Sequence, residues 1–270
     1  MIDFHNHVLP GADDGAKDMA MAINMLKTAS SQGITDVVNT IHFQHPKMEG
    51  KNVDYLYIQS EINKLQEEID KESIAIQIHM GAEVFYLPNL VEISENPLTM
   101  IGNGKYMLIE FPTHILPPGF EDEFYRLQLK GITPIIAHPE RYRAIQNDCT
   151  IIDSWIERGY VIQVDAGSLL GQFGKVCLQT AESLLQSSSI HLIGSDAHND
   201  SKRNFCLGNL IERLKTEQSL DYVKILKNNT KLLLDGEALK IIAFDGNTIN
   251  NKNLFQKFSS LIFSKMRINN

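Results

Sequence analysis

The first sixteen residues, MIDFHNHVLPGADDGA, contain two histidines and two aspartates at spacings that suit a metal site. His5 and His7 are two residues apart, and side chains at that spacing on an extended strand point to the same side. Asp13 and Asp14 precede a glycine in a sequence typical of a turn, which could bring a carboxylate back toward the imidazoles. This stretch alone leaves a metal site and a simple turn equally open.

Histidines and carboxylates recur at the C-terminal ends of later predicted strands, so that six of the seven strands carry at least one. The later residues are His42, Glu83, Glu110, His138, Asp196 and His198. In parallel α/β folds these strand ends converge on one edge, where active sites lie. Without a cation, so many ionisable groups would suffer desolvation and mutual repulsion, so the set predicts a metal centre. Any single member could be an ordinary buried acid or histidine, and we assign no role to the isolated His79, His114 and His191.

Short apolar runs alternate with segments of helical period, which is the pattern of a parallel sheet with helical crossovers. The predicted strands are MIDF, ITDVVNTI, IAIQIHMGAEV, YMLIEF, ITPIIAHPE, YVIQVDAG and IHLIGSDAH. Amphipathic helices are predicted from Met19 to Gln32 and over VDYLYIQSEINKLQEEIDKES, and Gly131 and Gly159 end two more. For 270 residues we predict a barrel related to the (β/α)₈ type, with an open doubly wound sheet as the alternative.

The composition is that of a globular protein, with 43% hydrophobic and 21% charged residues. A net charge of −8 argues against a general nucleic-acid binder, which needs a basic face. The three cysteines have no paired spacing, which favours a reducing compartment over a disulfide framework. Neither a secretory leader nor an apolar stretch of membrane-spanning length is evident, so we predict a cytoplasmic protein.

The last thirty residues differ in character from the rest and are predicted to form a separate tail, 241–270, after a catalytic domain over 1–240. Four basic residues face one acid there, and apolar residues recur at helical spacing, as in a basic amphipathic helix. We expect this helix to pack on the barrel. Contact with a membrane surface or a partner is the alternative.

Five stretches resemble, in order, the motifs of the PHP (polymerase and histidinol phosphatase) superfamily, and most of all its CpsB/CapC-type bacterial protein-tyrosine phosphatases. They are MIDFHNHVLPGADDGA, GAEV, IEF, AHPERY and GSDAHN, and the resemblance covers residues 1 to about 240. It implies a distorted (β/α)₇ barrel of the PHP fold with three divalent metal ions at one end. Mn²⁺ is the first choice, and Fe or Zn²⁺ would also suit imidazole and carboxylate ligands.

The resemblance also implies which residues hold each ion. His5, His7 and Asp196 would bind the first metal. Glu83 would bridge the first metal to a second, which Glu110 and His138 would also hold. The third metal would be held by Asp14, His42 and His198. Asp13 is a weaker alternative to Asp14. The chain departs from the family pattern around His42, where Ile41 replaces the usual proline and Phe43 a common histidine, although His45 is near.

The implied reaction is hydrolysis of protein phosphotyrosine by a metal-bridging hydroxide. The implied substrate is a bacterial tyrosine kinase that controls capsule or exopolysaccharide synthesis. Arg141 and Arg203 are the implied phosphate clamp, because guanidinium groups match phosphate oxygens in pairs. Either His42 or a metal-bound water would protonate the leaving group.

The cysteines exclude the thiol-dependent mechanism of tyrosine phosphatases, which needs an arginine six positions after the nucleophile. The residues six positions after Cys149, Cys177 and Cys206 are Trp155, Ser183 and Glu212. Two other functions remain as alternatives: a small-molecule phosphatase of the histidinol-phosphate type and a non-catalytic metal-binding adaptor. Relatives of the first type usually carry a histidine in place of Asp14. The sequence makes no prediction of oligomeric state.

Overall fold

The computed structural model describes residues 1–48, 54–217, 220–242 and 248–250. The strands are β1 (Ile2–Asp3), β2 (Asp36–Phe43), β3 (Gln77–Phe85), β4 (Tyr106–Glu110), β5 (Thr133–Ile136), β6 (Val161–Asp165), β7 (Leu192–Gly194), β8 (Lys240–Ile242) and β9 (Thr248–Asn250). The α-helices are α1 (Met19–Ser31), α2 (Tyr55–Lys71), α3 (Leu90–Ile93), α4 (Phe120–Leu129), α5 (Arg143–Asn147), α6 (Ile151–Glu157), α7 (Ala166–Leu169), α8 (Lys175–Gln186), α9 (Leu207–Glu217) and α10 (Leu220–Leu234). Short 3₁₀ helices cover Pro46–Met48, Pro97–Thr99 and Pro139–Arg141.

Strands β1 to β7 lie side by side in chain order, and every neighbouring pair is parallel. The residues that follow β7 and β1 close the ring: the backbone N of His7 donates to the O of Ala197 (2.8 Å), and the N of Asp196 donates to the O of His5 (2.7 Å). The structure is therefore a nearly closed barrel, and the predicted distorted (β/α)₇ barrel is confirmed. The open doubly wound sheet is wrong, because in such a sheet the chain order of the strands would reverse.

A glycine makes the closure between β1 and β7 possible. A Cβ atom on Gly194 would lie 2.5 Å from the Cβ of His5, closer than two carbon atoms can approach. Any larger residue would therefore push apart the first and last strands or move His5. Glycine is used here for close approach rather than for an unusual backbone angle.

The helices begin and end where their sequences indicate. Asp18 and Asp54 precede α1 and α2, and their side chains accept hydrogen bonds from the first-turn amides of Met21 (2.9 Å) and Tyr57 (2.7 Å). Gly131 follows the end of α4 with φ of +82°, a conformation that glycine adopts without steric cost.

Alternation along the strands divides the core into two parts. Inside the barrel, residues such as Phe4, Val38, Leu108 and Leu192 pack against one another, while a larger apolar layer lies between the sheet and the helices. The end of the barrel where the strands begin is called the bottom below. There the Tyr106 hydroxyl donates to the backbone O of Glu237, which follows α10 (2.5 Å). The interior of the barrel is therefore filled by apolar side chains, and the candidate metal ligands lie at the end opposite the bottom.

Strands β8 and β9 form a separate antiparallel pair after α10. Asn229 of α10 connects β8 to the barrel, since its amide oxygen accepts from the N of Lys240 (2.9 Å) and its amide nitrogen donates to the O of His191 (2.9 Å). The predicted amphipathic helix of the tail lies outside the described residues. Each helix within the described part of the chain is too short or too polar to cross a lipid bilayer.

Candidate metal centre

All nine predicted ligands lie at the end of the barrel where the strands terminate, called the mouth below. Their ligand atoms form four overlapping groups, in each of which the atoms lie within 4.8 Å of one another: His5, His7 and Asp196; His5, Glu83 and His138; His42, Glu83 and Glu110; and His7, Asp14, His42 and His198. The first group is the predicted first metal site, and the last is the predicted third site with His7 added. The ligands predicted for the second metal fall into two groups that share Glu83. The assignment of ligands to individual ions stays a prediction.

Glu83 is at the centre of the cluster because of the strand register. Parallel pairing of β2 with β3 sets it opposite His42. Its Oε1 lies 2.7 Å from Nε2 of His138, and its Oε2 lies 3.3 Å from Nε2 of both His5 and His7. Only 1% of the Glu83 side chain is exposed, so its charge must be balanced within the site.

Three of the histidines are oriented by an oxygen on their Nδ1 side. The Nδ1 of His5 lies 3.0 Å from Oε1 of Gln163, that of His7 lies 2.7 Å from Oδ2 of Asp13, and that of His198 lies 3.0 Å from the O of Asp196. A proton on Nδ1 leaves the Nε2 lone pair free, as it is in histidines that bind metals.

The polar atoms left over in the cluster fit a cation. The Nε2 atoms of His5 and His7, Oε2 of Glu110 and Oδ1 of Asp196 are buried, and no hydrogen-bond partner is found for them among the described residues. Buried polar atoms normally have such partners. Nitrogen lone pairs and carboxylate oxygens converging without bonds of their own are the donor set that a divalent metal requires.

The electrostatics of the cluster show a strongly negative site. Burial disfavours the charged imidazole of His5, but the carboxylates of Glu83 and Asp196 outweigh it and raise its pKa to about 9. The pKa of Glu110 lies well above its usual range because of burial and the charges of Glu83 and Asp196. The pKa of Glu83 is held well below its ordinary value, since the neighbouring imidazoles outweigh the effect of its burial. Without a metal, the carboxylates and the protonated imidazoles balance one another's charges. Bound divalent cations would balance the carboxylates in the same way.

Asp14 and His42 meet at the more open side of the cluster. Oδ1 of Asp14 lies 3.2 Å from Nε2 of His42 and 3.4 Å from Nε2 of His198. These contacts with the two imidazoles hold the pKa of Asp14 well below its usual value. The replacement of the family's proline by Ile41 leaves β2 regular through His42, whose backbone N donates to Oδ2 of Asp13 (3.0 Å).

The two predicted clamp arginines lie beside the cluster, where both contact Asp196. Nη2 of Arg141 lies 2.8 Å from Oδ2 of Asp196, and Nη2 of Arg203 bonds to the same oxygen. The other oxygen of Asp196 faces His5 and His7 at 3.7 and 3.3 Å. One carboxylate therefore joins the arginines to the candidate metal ligands.

The AHPERY motif is built around backbone strain and buried hydrogen bonds. His138 of this motif has φ of +32°, and Asp196 of the GSDAHN motif has φ of +49°. Residues other than glycine adopt such values at a cost of about 1–3 kcal/mol each. The Tyr142 hydroxyl donates to the O of Ala137 (2.6 Å). Glu140 accepts from the hydroxyl of Ser168 (2.6 Å), and burial raises its pKa to about 8.

Strand β6 contributes two polar residues that the sequence reasoning missed. Gln163 accepts from the backbone N of His138 (3.1 Å) and donates to Oδ1 of Asp165 (2.9 Å), while Oδ2 of Asp165 lies 2.5 Å from Nη2 of Arg141. Because its oxygen must accept from that backbone N–H, the amide orientation of Gln163 is fixed, and Nδ1 of His5 must be the donor. The visible signal was two polar residues two apart in the otherwise apolar run VIQVD.

Asp13 and His45 were also underestimated. Asp13 contacts Nδ1 of His7 at 2.7 Å, so it holds one of the candidate ligands in place. His45 has its Nε2 3.8 Å from Oε2 of Glu110, at the edge of the cluster.

A cavity of about 400 Å³ opens beside the mouth. Its lining includes Arg141, Arg143 and Arg203 together with Phe173, whose ring centre lies 3.9 Å from the Cζ of Arg141 and 5.4 Å from that of Arg203. His114, to which the sequence assigned no role, also lines this cavity. The two clamp arginines thus face both the candidate metal site and a space large enough for an aromatic group.

The family model of capsular polysaccharide synthesis proteins CpsB/CapC matches residues 1–235. A putative tyrosine-protein phosphatase CapC of Staphylococcus aureus is 33% identical over 240 residues, which cover 88% of this chain and 93% of the relative. The tyrosine-protein phosphatase YwqE of Bacillus subtilis (strain 168) is 35% identical over 240 residues, with the same coverage.

Solved structures give the same result. A chain from the crystal structures of YwqE from Bacillus subtilis and CpsB from Streptococcus pneumoniae, described as unique metal-dependent tyrosine phosphatases, aligns with a TM-score of 0.83 and 34% identity, over 88% of this chain and 96% of that one. An organophosphorus hydrolase from Deinococcus radiodurans aligns with a TM-score of 0.53 and 14% identity, over 87% of this chain and 92% of that one, which is a likeness of fold alone. The motifs, the barrel and these relatives agree, and the chain belongs to the CpsB/CapC family of capsular polysaccharide synthesis proteins.

Proposed function

We propose that this protein is a metal-dependent phosphatase that hydrolyses phosphotyrosine on proteins. The observation that carries the proposal is the convergence of nine candidate ligands beside two arginines that share Asp196 with them. The relatives named as tyrosine-protein phosphatases match nearly the whole of this chain, which supports the same activity here.

The residues around the mouth suit the parts of a phosphoryl transfer. Bound divalent cations would neutralise phosphoryl charge and bring a water within reach of deprotonation near neutral pH. Arg141 and Arg203 supply guanidinium donors for the phosphate, and Nε of each is buried without a partner among the described residues. His42 contacts Asp14 at 3.2 Å and Glu83 at 3.2 Å, which favours a ligand role for it over a role as proton donor.

The cysteines do not provide a rival nucleophile. Cys177 lines the cavity, but burial raises the pKa of its thiol, so that it stays protonated. Burial raises the pKa of Cys206 to about 12. Neither thiol is therefore activated, which supports a water-derived nucleophile in the proposed reaction.

More specifically, we propose that the site binds three metal ions, with Mn²⁺ preferred over Fe and Zn²⁺. The proposed substrate is a phosphorylated tyrosine kinase of capsule or exopolysaccharide synthesis. Residues 1–240 would form the catalytic domain. The basic tail would pack on the barrel or, as the alternative, contact a membrane surface or a partner. The histidinol-phosphate alternative is not favoured, because the relatives that cover this chain are named as tyrosine-protein phosphatases.

Phosphate release from matched substrates tests the proposal. The purified full chain, stripped with chelator and reloaded with Mn²⁺, Fe²⁺ or Zn²⁺ in turn, would be assayed on a phosphotyrosine peptide, on the same peptide with phosphoserine, and on histidinol phosphate. We expect metal-dependent hydrolysis with the phosphotyrosine peptide as the best substrate. Preference for histidinol phosphate would support the alternative, and tight binding of the peptide without turnover would support the adaptor.

Replacement of a clamp arginine tests the phosphate contact. In Arg141→Ala we expect kcat/KM to fall by the equivalent of about 1.5–3 kcal/mol, the value of a charged hydrogen bond, with metal content retained. The matched control is Arg158→Ala, which is exposed and lies just before β6 at the bottom of the barrel. Unchanged kcat/KM in Arg141→Ala would contradict the assignment.

A further inference from the structure

The cavity beside the mouth is positively charged in a chain whose net charge is −8. Three arginines line it, and no Asp or Glu is among its lining residues. An acidic protein repels acidic partners unless a local patch of opposite charge receives them. The cavity is such a patch, next to the point where the phosphate would be hydrolysed.

Arg143 differs from the other two arginines of the cavity. Arg141 and Arg203 both pair with Asp196, whereas no carboxylate within the described ranges pairs with the guanidinium of Arg143. Its backbone N donates to the O of Thr113 (2.9 Å), which fixes it beside the loop that follows β4. Its side chain is exposed. Its guanidinium therefore has no ion-pair partner within 4 Å among the described residues.

The wall between Arg143 and the clamp arginines is well ordered by side-chain contacts. Gln146, on the same short helix as Arg143, donates to the O of Glu140 (3.0 Å) and to Sγ of Cys177 (3.5 Å). The Phe173 ring packs over Arg141 and Arg203. A substrate with its phosphate on the clamp arginines would therefore have Arg143 within the same cavity.

We propose that Arg143 binds an anionic group next to the phosphotyrosine, so that the enzyme prefers phosphotyrosine with acidic neighbours. The anion is the carboxylate of an Asp or Glu side chain or a second phosphate, which present the same chemistry to a guanidinium. This inference rests on the proposed function. It goes further by naming the sequence context that the site selects and the residue that selects it.

Peptides that differ only in their flanks test the inference. Four phosphotyrosine peptides, flanked by Glu, by Gln, by Lys, or by Gln with one phosphoserine, would be assayed with the Mn²⁺-loaded full chain, alongside a small aryl phosphate. We expect KM to be about three- to fivefold lower for Glu than for Gln flanks, as for an exposed ion pair, and higher again for Lys flanks. The effect should fall on KM with kcat nearly constant, because the contact is remote from the scissile bond and is the same in ground and transition states. The phosphoserine peptide shows whether a second phosphate is preferred to a carboxylate.

Arg143→Glu is the decisive variant because it reverses the charge. It should prefer Lys flanks to Glu flanks and should hydrolyse the small aryl phosphate as the parent protein does. Arg158→Glu makes the same change at the bottom of the barrel and should keep the parental ranking. Equal KM for all flanks, or a parental ranking retained in Arg143→Glu, overturns the inference.

The small aryl phosphate separates this inference from the proposed function. If it is hydrolysed while the flanks have no effect, only the inference fails. If it is not hydrolysed, the proposed function fails, and fluorescence anisotropy of the same labelled peptides decides the inference from binding alone. Tighter binding of Glu-flanked peptides, lost in Arg143→Glu, supports it; equal binding overturns it.

Discussion

Two fully buried histidines lie at opposite ends of the barrel and behave in opposite ways. His5 follows β1 at the mouth, and the carboxylates around it raise its pKa to about 9 in spite of its burial. His191 precedes β7 at the bottom, and burial alone lowers its pKa to about 3. Two equally buried imidazoles thus have pKa values shifted in opposite directions, up for His5 and down for His191.

The difference lies in the partners that each end of the barrel supplies. Nδ1 of His191 accepts from the backbone N of Ile162 (3.0 Å), a contact that requires a neutral ring. His5 instead lies between Glu83 and Asp196. The bottom of the barrel contributes stability and the mouth contributes charge, a division common among (β/α) barrels. Substitutions at the two ends should therefore have separable effects.

The largest effect is expected from Glu83→Gln. Loss of the central charge should weaken cation binding and lower kcat/KM more than a thousandfold, since metal ions supply several kcal/mol of transition-state stabilisation. Elemental analysis and phosphate release measure the two effects. Glu123→Gln removes another buried acid, which pairs with Arg126 on α4 and belongs to none of the four groups of candidate ligands, and should retain both metal and activity. A Glu83→Gln protein with full metal content and activity would contradict the central role of this residue.

A smaller effect is expected from Gln163→Leu, which keeps the side chain's size and removes its amide. His5 loses the acceptor that fixes its tautomer, so metal affinity should fall about 10- to 100-fold, as for other residues that orient a ligand. Calorimetric titration with Mn²⁺ gives the affinity.

Gln163→Glu separates the two hydrogen bonds of the Gln163 side chain, one with His5 and one with Asp165. It can still accept from His5 but can no longer donate to Asp165, so metal affinity should recover while KM for the phosphotyrosine peptide stays raised through Arg141. If Gln163→Leu and Gln163→Glu reduce metal affinity equally, Gln163 acts through packing rather than through its hydrogen bonds.

His191 should affect stability and not catalysis. Because its pKa falls from 6.5 when unfolded to about 3 when folded, the unfolded chain binds more protons below pH 6.5, and stability falls as the pH drops toward 3. This group should cost about 2 kcal/mol between pH 6.5 and pH 5, at about 1.4 kcal/mol per pH unit. In His191→Gln this part of the pH dependence should vanish from urea unfolding curves, with activity at pH 7 unchanged. An unaltered pH dependence would contradict the assignment.

Gly194→Ala should lower stability by about 1–3 kcal/mol, the usual range for overpacking. The added methyl meets His5, so the variant should also bind Mn²⁺ more weakly. Gly33→Ala is the control at the bottom: it has φ of +77° with nothing within 4 Å, so it is strained but touches no ligand. It should lose similar stability without a change in metal affinity. Equal metal affinities in the two variants would contradict the comparison.

The strands and the candidate ligands could be predicted because both leave local signals. The seven strands are short apolar runs bounded by helical segments, and most of the candidate ligands lie at the strand ends or just beyond them, as Glu110 ends β4. The preference for Asp14 over Asp13 depended on the family motif, and Asp14 is the one that meets His42 and His198.

The supporting contacts could not be predicted, because they join residues far apart in the chain. Nothing local indicates that Gln163 meets His5, 158 positions earlier, or that Asp165 meets Arg141. The pairing of Arg141 and Arg203 with Asp196 depends on how the loops after β5 and β7 converge, which the barrel geometry decides. Motifs identify groups by their chemical type, whereas their mutual orientation is a property of the closed sheet.

The join between β1 and β7 has a consequence for how the molecule opens. β2 and β3 are held by eight residue pairs in register, but the first and last strands meet through the backbone of His5, His7, Asp196 and Ala197, which are candidate ligands or their neighbours. A cation bound there would hold the first and last strands of the sheet together. Amide hydrogens at this join should exchange with deuterium faster after chelation, while those between β2 and β3 keep their protection.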